Sequence, residues 1–469
     1  MPNKHYHITT FGCVMNSSDS ERVATVAELL GYIPSDSIES AELIIINSCS
    51  IRQKAEDRVV GMGKKISSLK ENKEIITILT GCMAKREKRS EEVNENKYEK
   101  NLKRIMPWLD YIVDIKDIHK LGNIIGVKNE IKAEEYLSIK PKTYNNFTRY
   151  IPISTGCNKF CTYCIVPFAR GNEIYRPYSE IIDEINDSLK SGVKEIILLG
   201  QNVNSWRGYK NSNEYIESKD PHRLTKISMP ENMLDFADLI NDIGNLLDKY
   251  IENSGKKVWL RFTSSHPYDI DNKLIDVVKN HTSIAKQFHF ALQSGNNAVL
   301  KRMNRHYTIE NFIEKCNLIR NCIPGVGIST DIIVGFCGES NEEFQSTVDV
   351  VNELAFDQAF ISEYSTRKGT VADRVHKDNI TNDVKAKRKE ILNDILGKGI
   401  KVRNQEMLNQ EYEVLIYKKN KLGYVGRTES SKDVIISSLL KEIDSPIGKF
   451  VRVKIISCND WSLTGELIK

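Results

Sequence analysis

Short apolar runs that do not alternate, each separated from the next by a helical stretch, constrain this chain more than any other feature. In its first 115 residues they are HYHITTFG at 5–12, ELIIINS at 42–48, EIITILT at 74–80 and YIVDI at 111–115. A half-exposed strand alternates apolar and polar residues. A strand apolar throughout is covered on both faces, as in a parallel sheet flanked by helices. The segments between read as those helices: SSDSERVATVAELLGY starts on Ser and Asp and stops at Gly31, and IRQKAEDRVVGMGKKISSLK reads as a single helix over 51–70. Residues 1–125 are expected to form an α/β domain around a parallel sheet.

Residues 126–146 are polar with little periodicity and read as a linker. The alternation then resumes with RYIPIST, EIILLGQN, VWLRFTSS, QFHFALQ, VGISTDIIVG and QAFISEYS, with helical stretches such as YSEIIDEINDSLKSG between. Six βα units are fewer than the eight of a closed barrel. The reading for 147–385 is an open, partial (β/α)6 barrel, interrupted by a polar, irregular insertion at 208–231. A charged helix over about 375–404 leads to short strands at 403–469, which predict a small antiparallel β-barrel. It is mildly basic and offers Tyr417, Tyr424 and Trp461 for stacking, so it reads as a nucleic-acid module or as a structural cap.

The net charge of +4 permits nucleic-acid binding without establishing it. No run of about 18 apolar residues suggests a membrane span. The first residues lack the pattern of a secretory signal, so a cytoplasmic location is expected. Ten cysteines in 469 residues are too sparse for a disulfide scaffold and point to metal ligands, reactive thiols or small core residues.

Three of them form CNKFCTYC, residues 157–164, directly after the strand RYIPIST. Loops at the carboxyl end of barrel strands carry the chemistry. A zinc ribbon needs a second close pair, and the next cysteine is Cys316. Three thiolates on a four-iron cube leave one iron with an open position, where a small molecule binds and reacts. Cys13, Cys49 and Cys82 lie far apart in sequence, yet each ends an expected strand, and the carboxyl edge of a parallel sheet is where ligands bind. They read either as three small core residues or as a second three-thiolate site. Cys316, Cys322, Cys337 and Cys458 read as structural.

The C-x3-C-x2-C spacing with Tyr163 before its last cysteine resembles the radical S-adenosylmethionine superfamily. With the second set and the terminal barrel, the chain resembles the methylthiotransferase family over nearly its whole length. The carrying stretches are GCVMNSSDSERVA, NSCSIRQKAEDRV, GCNKFCTYCIVPFARG, LLGQNVNSWRG, RFTSSHP, LQSGN and DIIVGFCGES. NSCSIRQKAE and GQNVNSWRG are similar to the branch acting on dimethylallyl-adenosine in tRNA. They do not resemble the threonylcarbamoyl-adenosine or ribosomal-protein branches, which stand as alternatives alongside a non-enzymatic two-cluster electron carrier and a zinc-containing RNA-binding protein. Val14 stands where the family usually has Gln, Cys337 and Ser340 depart from GFPGET, and the 208–231 insertion is not a family feature.

The resemblance implies two 4Fe-4S clusters, an auxiliary one on Cys13, Cys49 and Cys82 and a radical one on Cys157, Cys161 and Cys164. It implies two S-adenosylmethionine molecules per turnover. One methylates a sulfur on the auxiliary cluster, and the other is cleaved to a 5′-deoxyadenosyl radical. The substrate implied is carbon 2 of N6-isopentenyladenosine in a tRNA anticodon loop, the terminal barrel being TRAM-like. By position in matching motifs, Tyr163, Gln201, Asn202, Ser264, Ser265, Gln293, Gly335 and Phe336 are expected to contact S-adenosylmethionine. Arg52, Lys54, Arg170 and Arg207 are expected to meet phosphate or substrate. A low-potential donor such as flavodoxin or ferredoxin, a monomeric state and no membrane association complete the expectation.

Overall fold

A computed structural model describes residues 4–50, 53–85, 95–127, 131, 133, 135–142, 147–218, 230–436 and 445–468. The first domain is a five-stranded, wholly parallel sheet of β1 (His5–Phe11), β2 (Ile33–Pro34), β3 (Leu43–Ser48), β4 (Ile76–Thr80) and β5 (Tyr111–Ile112), in the order β2-β1-β3-β4-β5. All six residues of β3 are buried, as a central strand with two covered faces requires. Leu43 and Ile45 face α1 (Val14–Leu29) through Val23 and Val26, while Ile44 and Ile46 face Val59, Ile66 and Trp108.

Two expectations change here. The helix read over 51–70 is two, α2 (Gln53–Gly61) and α3 (Gly63–Asn72). The Trp108 indole sits where a Cβ on residue 63 would be, 2.6 Å from Nε1, so Gly63 admits it, and a second glycine at 61 weakens helix continuity. The stretch 126–146 is not a loose tether in its described part: Tyr136, Leu137 and Ile139 are buried in the same core as Val23 and Ile118. Three apolar residues spaced through a polar segment were too few to show as periodicity.

The central region holds six parallel strands: β6 (Thr148–Pro152), β7 (Glu195–Leu199), β8 (Trp259–Phe262), β9 (Gln287–His289), β10 (Gly327–Val334) and β11 (Gln358–Glu363). They form two three-stranded sheets, β6-β7-β8 and β9-β10-β11, joined by parallel bridges Leu260↔Ile284 and Ser265↔Phe290. Consecutive strands neighbour each other and the ring stays open, a partial barrel around one large apolar core. The insertion is tied down at its described ends, where Arg207–Gly208 pairs with Leu234–Asp235 and Ile216–Glu217 with Ile174–Tyr175; its residues 219–229 lie outside the described residues.

The charged helix is α4 (Asn382–Gln405). The chain then closes a five-stranded barrel of β12 (Glu411–Asn420), β13 (Gly423–Thr428), β14 (Asp433–Ile436), β15 (Phe450–Cys458) and β16 (Leu463–Leu467). It is not wholly antiparallel: β14 and β16 run parallel. An odd number of strands closed in a ring cannot alternate direction throughout, so one pair must be parallel. Arg261 docks this barrel, donating to the Thr428 and Glu429 carbonyls at 2.8 Å and to Glu195 Oε1 at 2.8 Å. No described helix is long and apolar enough to cross a membrane.

Candidate metal centres

The in-register pairs Phe11↔Ser48 and Asn47↔Thr80 bring the carboxyl ends of β1, β3 and β4 level. Cys13, Cys49 and Cys82 follow those ends within two residues, on one sheet edge. Cys49 N–H donates to Phe11 O at 2.7 Å, continuing the ladder past the strand. Asn16 Nδ2 donates to Asn47 Oδ1 at 3.0 Å and Asn47 Nδ2 to the Asn16 carbonyl at 2.8 Å, pinning the first turn of α1 behind the cysteines. Burial pushes the Cys82 thiol up, offset in part by Arg170, while a Cys13 thiolate raises it further.

Cys157, Cys161 and Cys164 lie in the loop after β6. This loop is strapped to the segment 302–305: Thr162 N–H donates to Met303 O at 3.0 Å, Thr162 Oγ1 to Arg302 O at 2.9 Å and Asn304 Nδ2 to Phe160 O at 3.0 Å. Arg305 Nη1 donates to Cys161 Sγ at 3.2 Å. Burial, then the Glu173 carboxylate and the neighbouring cysteines, holds Cys157 well above the ordinary thiol range, and burial with Cys161 pushes Cys164 up to about 12. Arg170, six residues after Cys164, donates Nε–H to Cys82 Sγ at 3.1 Å and so ties the two cysteine sets together.

Among the described residues no His, Cys, Asp or Glu group is gathered as for a single ion. A four-iron cube is a larger guest whose thiolates stand further apart than the ligands of one ion. Three soft ligands in each set suit such a cube, because binding the metal compensates thiolate charge that burial opposes.

The residues expected around S-adenosylmethionine divide. Asn202 Oδ1, Ser265 Oγ and Gln293 Oε1 are buried and have no hydrogen-bond partner. They end or follow β7, β8 and β9. Gln293 and the exposed Ser264 take left-handed backbone conformations, φ +65° and +66°. Tyr163 is half-buried, edge-on to Phe336 at 6.4 Å. Three are already engaged: Gln201 Oε1 accepts from Gly156 N–H at 2.7 Å, Gly335 N–H donates to Glu339 Oε2 at 2.7 Å, and the Phe336 ring is enclosed by Tyr163, Tyr364 and His376.

Of the residues expected at phosphate or substrate, Arg170 takes a different place. Arg170 is 2% exposed; it donates Nη2–H to Asp19 Oδ2 at 2.5 Å and Nε–H to Cys82 Sγ at 3.1 Å. An arginine so buried, with its guanidinium bonded to Asp19 and Cys82, does not meet phosphate from solvent. Arg207 is half-buried and donates to the Trp206 carbonyl, Lys54 is exposed on α2, and Arg52 lies outside the described residues. Reading the sequence missed Asp19, Asn16, Asn47 and Arg305. The first three lay inside the quoted motifs; Arg305 had no signal, because its contact with Cys161 spans 144 residues.

A cavity of about 440 Å³ lies inside the partial barrel. Its wall includes Val14 beside Cys13, Tyr150 and His289 from barrel strands, and Arg427, Lys432 and Trp461 from the terminal barrel. His289 is oriented by Ser329 Oγ at 2.9 Å and Asp331 Oδ2 at 3.1 Å.

Residues 151–351 match the Radical SAM superfamily, residues 5–102 the "Uncharacterized protein family UPF0004" and residues 405–468 the TRAM domain. Similar curated relatives include the tRNA-2-methylthio-N(6)-dimethylallyladenosine synthases of Clostridium novyi (strain NT), 35% identical over 99% of this chain and 97% of that one, and of Alkaliphilus oremlandii (strain OhILAs), 36% identical over 100% and 93%. That of Dictyoglomus thermophilum is 36% identical over 99% and 98%. Among solved structures, the cobalamin-dependent S-adenosylmethionine radical enzyme OxsB with aqua-cobalamin bound shares the fold at a TM-score of 0.50 and 13% identity, over 84% of this chain and 56% of that one. Membership of the superfamily implies a 4Fe-4S cluster and S-adenosylmethionine. On full-length similarity above 30%, the chain belongs to the family of tRNA-2-methylthio-N(6)-dimethylallyladenosine synthases.

Proposed function

We infer that this chain is a tRNA methylthiotransferase that converts N6-isopentenyladenosine beside the anticodon to its 2-methylthio derivative. The observation that carries the reading is the meeting of two three-cysteine sets from separate domains, joined where Arg170, six residues after Cys164, donates to Cys82 Sγ at 3.1 Å, in a chain similar to these synthases from end to end. Cys157, Cys161 and Cys164 hold the radical cluster, and Cys13, Cys49 and Cys82 the auxiliary one. When bound, the clusters and two S-adenosylmethionine molecules supply the one-electron cleavage and the sulfur that a C–H bond inert to polar side chains demands.

The chain's own residues bind and orient. Asn202, Ser265 and Gln293 offer buried acceptors to the amine and hydroxyl donors of S-adenosylmethionine. Arg305 steadies Cys161. Tyr150 and His289 wall a cavity fit for a splayed-out base, and exposed Trp461 at its rim suits stacking of a neighbouring base, as single-stranded loops are read. Arg427 and Lys432 stand in the same wall, paired with Asp433 at 3.9 Å and Asp357 at 2.9 Å. A low-potential flavodoxin or ferredoxin supplies the electron, the chain works as a monomer, and its tRNA substrate sets the cytoplasm as its place.

The test is nucleoside analysis of tRNA from a strain lacking the gene. The 2-methylthio derivative is expected to vanish while N6-isopentenyladenosine accumulates, and the gene supplied in trans restores it. Persistence of the 2-methylthio nucleoside would refute the substrate assignment.

A further inference from the structure

Arg170 occupies a position that the proposed activity leaves unexplained. It belongs to the central domain, six residues beyond Cys164, yet it reaches the first domain. There its Nε–H donates to Cys82 Sγ at 3.1 Å and its Nη2–H to Asp19 Oδ2 at 2.5 Å, with Arg170 2% and Asp19 0% exposed. Two polar atoms of this buried group are left over: Arg170 Nη1 and Asp19 Oδ1 have no hydrogen-bond partner. One N–H of the guanidinium already points at the sulfur of a proposed cluster ligand, and another donor beside it is spare for the sulfur of a bound cluster. The other cysteine set has a counterpart in Arg305, which donates to Cys161 Sγ at 3.2 Å. Among the described residues, each three-thiolate set thus shows a guanidinium on a sulfur, and the auxiliary set receives its own from the other domain.

We propose that Arg170 is a positioning residue of the auxiliary site, lent by the central domain, whose charge and N–H groups raise the reduction potential of the cluster held by Cys13, Cys49 and Cys82. Hydrogen bonds to cluster sulfurs and nearby charge are the protein's levers on that potential. A fixed cation favours the reduced, more negative cluster; Asp19 opposes it and holds the guanidinium in place. The auxiliary site is therefore electrically complete only when the two domains are docked. The inference rests on the auxiliary-cluster reading above.

The test uses the full chain carrying Cys157/Cys161/Cys164→Ala, so that one cluster is read alone, reconstituted with iron and sulfide and titrated with dithionite under electron paramagnetic resonance. Arg170→Gln is expected to lower the midpoint potential, Arg170→Lys to restore part of the shift, and Asp19→Asn to raise it. Arg305→Gln in the same background is expected to leave it unmoved. Opposite signs for the two partners separate electrostatic tuning from structural damage, which would move both alike. Should Arg170→Gln fail to hold iron, Asp19→Asn and Arg170→Lys carry the test. Iron and sulfide retained with an unmoved potential in these variants would overturn the inference alone. A parent that holds no iron at all would overturn the auxiliary-site reading and this inference with it.

Discussion

Ser265 separates packing from binding at the scale of one atom. Its Oγ is buried and unpartnered, so truncation removes no internal hydrogen bond. Ser265→Ala is expected to leave the melting temperature of the ligand-free protein unchanged or slightly raised. Its affinity for S-adenosylmethionine should fall about 5–10-fold, the loss of one hydrogen bond of about 1 kcal/mol, measured by equilibrium dialysis. A lower melting temperature with unchanged affinity would assign the hydroxyl to the fold. Gly156 makes the complementary case. At φ +79° a Cβ would lie 1.9 Å from the Asn172 carbonyl oxygen, and the next residue, Cys157, bonds Gly171 O through its N–H at 3.2 Å. Gly156→Ala must displace the cysteine loop, and about half of the protein's iron is expected to be lost, read by iron and sulfide content.

At the scale of elements, strand ends do what local spacing does elsewhere. CNKFCTYC gathers its thiols within one loop, whereas Cys13, Cys49 and Cys82 are gathered by the register of β1, β3 and β4. The two sets should therefore fail independently. Cys157/Cys161/Cys164→Ala and Cys13/Cys49/Cys82→Ala are each expected to lose about one four-iron cluster and keep the other, by metal analysis. Docking of the terminal barrel also rests on element ends. Arg261, 3% exposed, joins Glu195 on β7 to the turn after β13. Arg261→Leu leaves Glu195 and two carbonyls without this donor, at a cost of about 3–5 kcal/mol. Earlier proteolysis near the α4–β12 junction and a lower melting temperature are the expected readouts.

At the scale of the whole molecule, α1 couples the first domain to the partial barrel, and its electrostatics make that contact depend on pH. Arg22 pairs with Glu184 at 3.0 Å, and Ser18 Oγ donates to the Tyr150 carbonyl at 3.3 Å. Between them Glu21 is raised from 4.5 to about 7, chiefly by burial, against the pull of Arg149 and Arg22. A carboxyl raised on folding keeps a proton that the unfolded chain releases. Its contribution is thus fully present below about pH 4.5 and is lost as pH rises to about 7. Glu21→Gln removes that dependence. The variant is expected to match the parent near pH 4.5 and to exceed it by roughly 1–3 kcal/mol at pH 8, measured by denaturant unfolding.

What the sequence by itself determined is what short-range physics determines. Unbroken apolar runs announce strands covered on both faces, and a C-x3-C-x2-C loop needs no distant residue to gather its thiols. The need for glycine at 63, beside the break at Met62, was not legible, because Trp108, which fills that space, is 45 positions further on. The burial of Tyr136 was not legible because the core that receives it belongs to α1 and the first sheet. The largest revision concerns Arg170, which as a charged residue in a loop reads as a solvent-facing phosphate contact. Only the docking of two domains, bringing Asp19 and Cys82 within hydrogen-bond distance across 151 and 88 residues, made it a buried partner of a thiolate. Charge follows its surroundings, and the surroundings of this site are built from three strand ends and a loop that no local pattern connects.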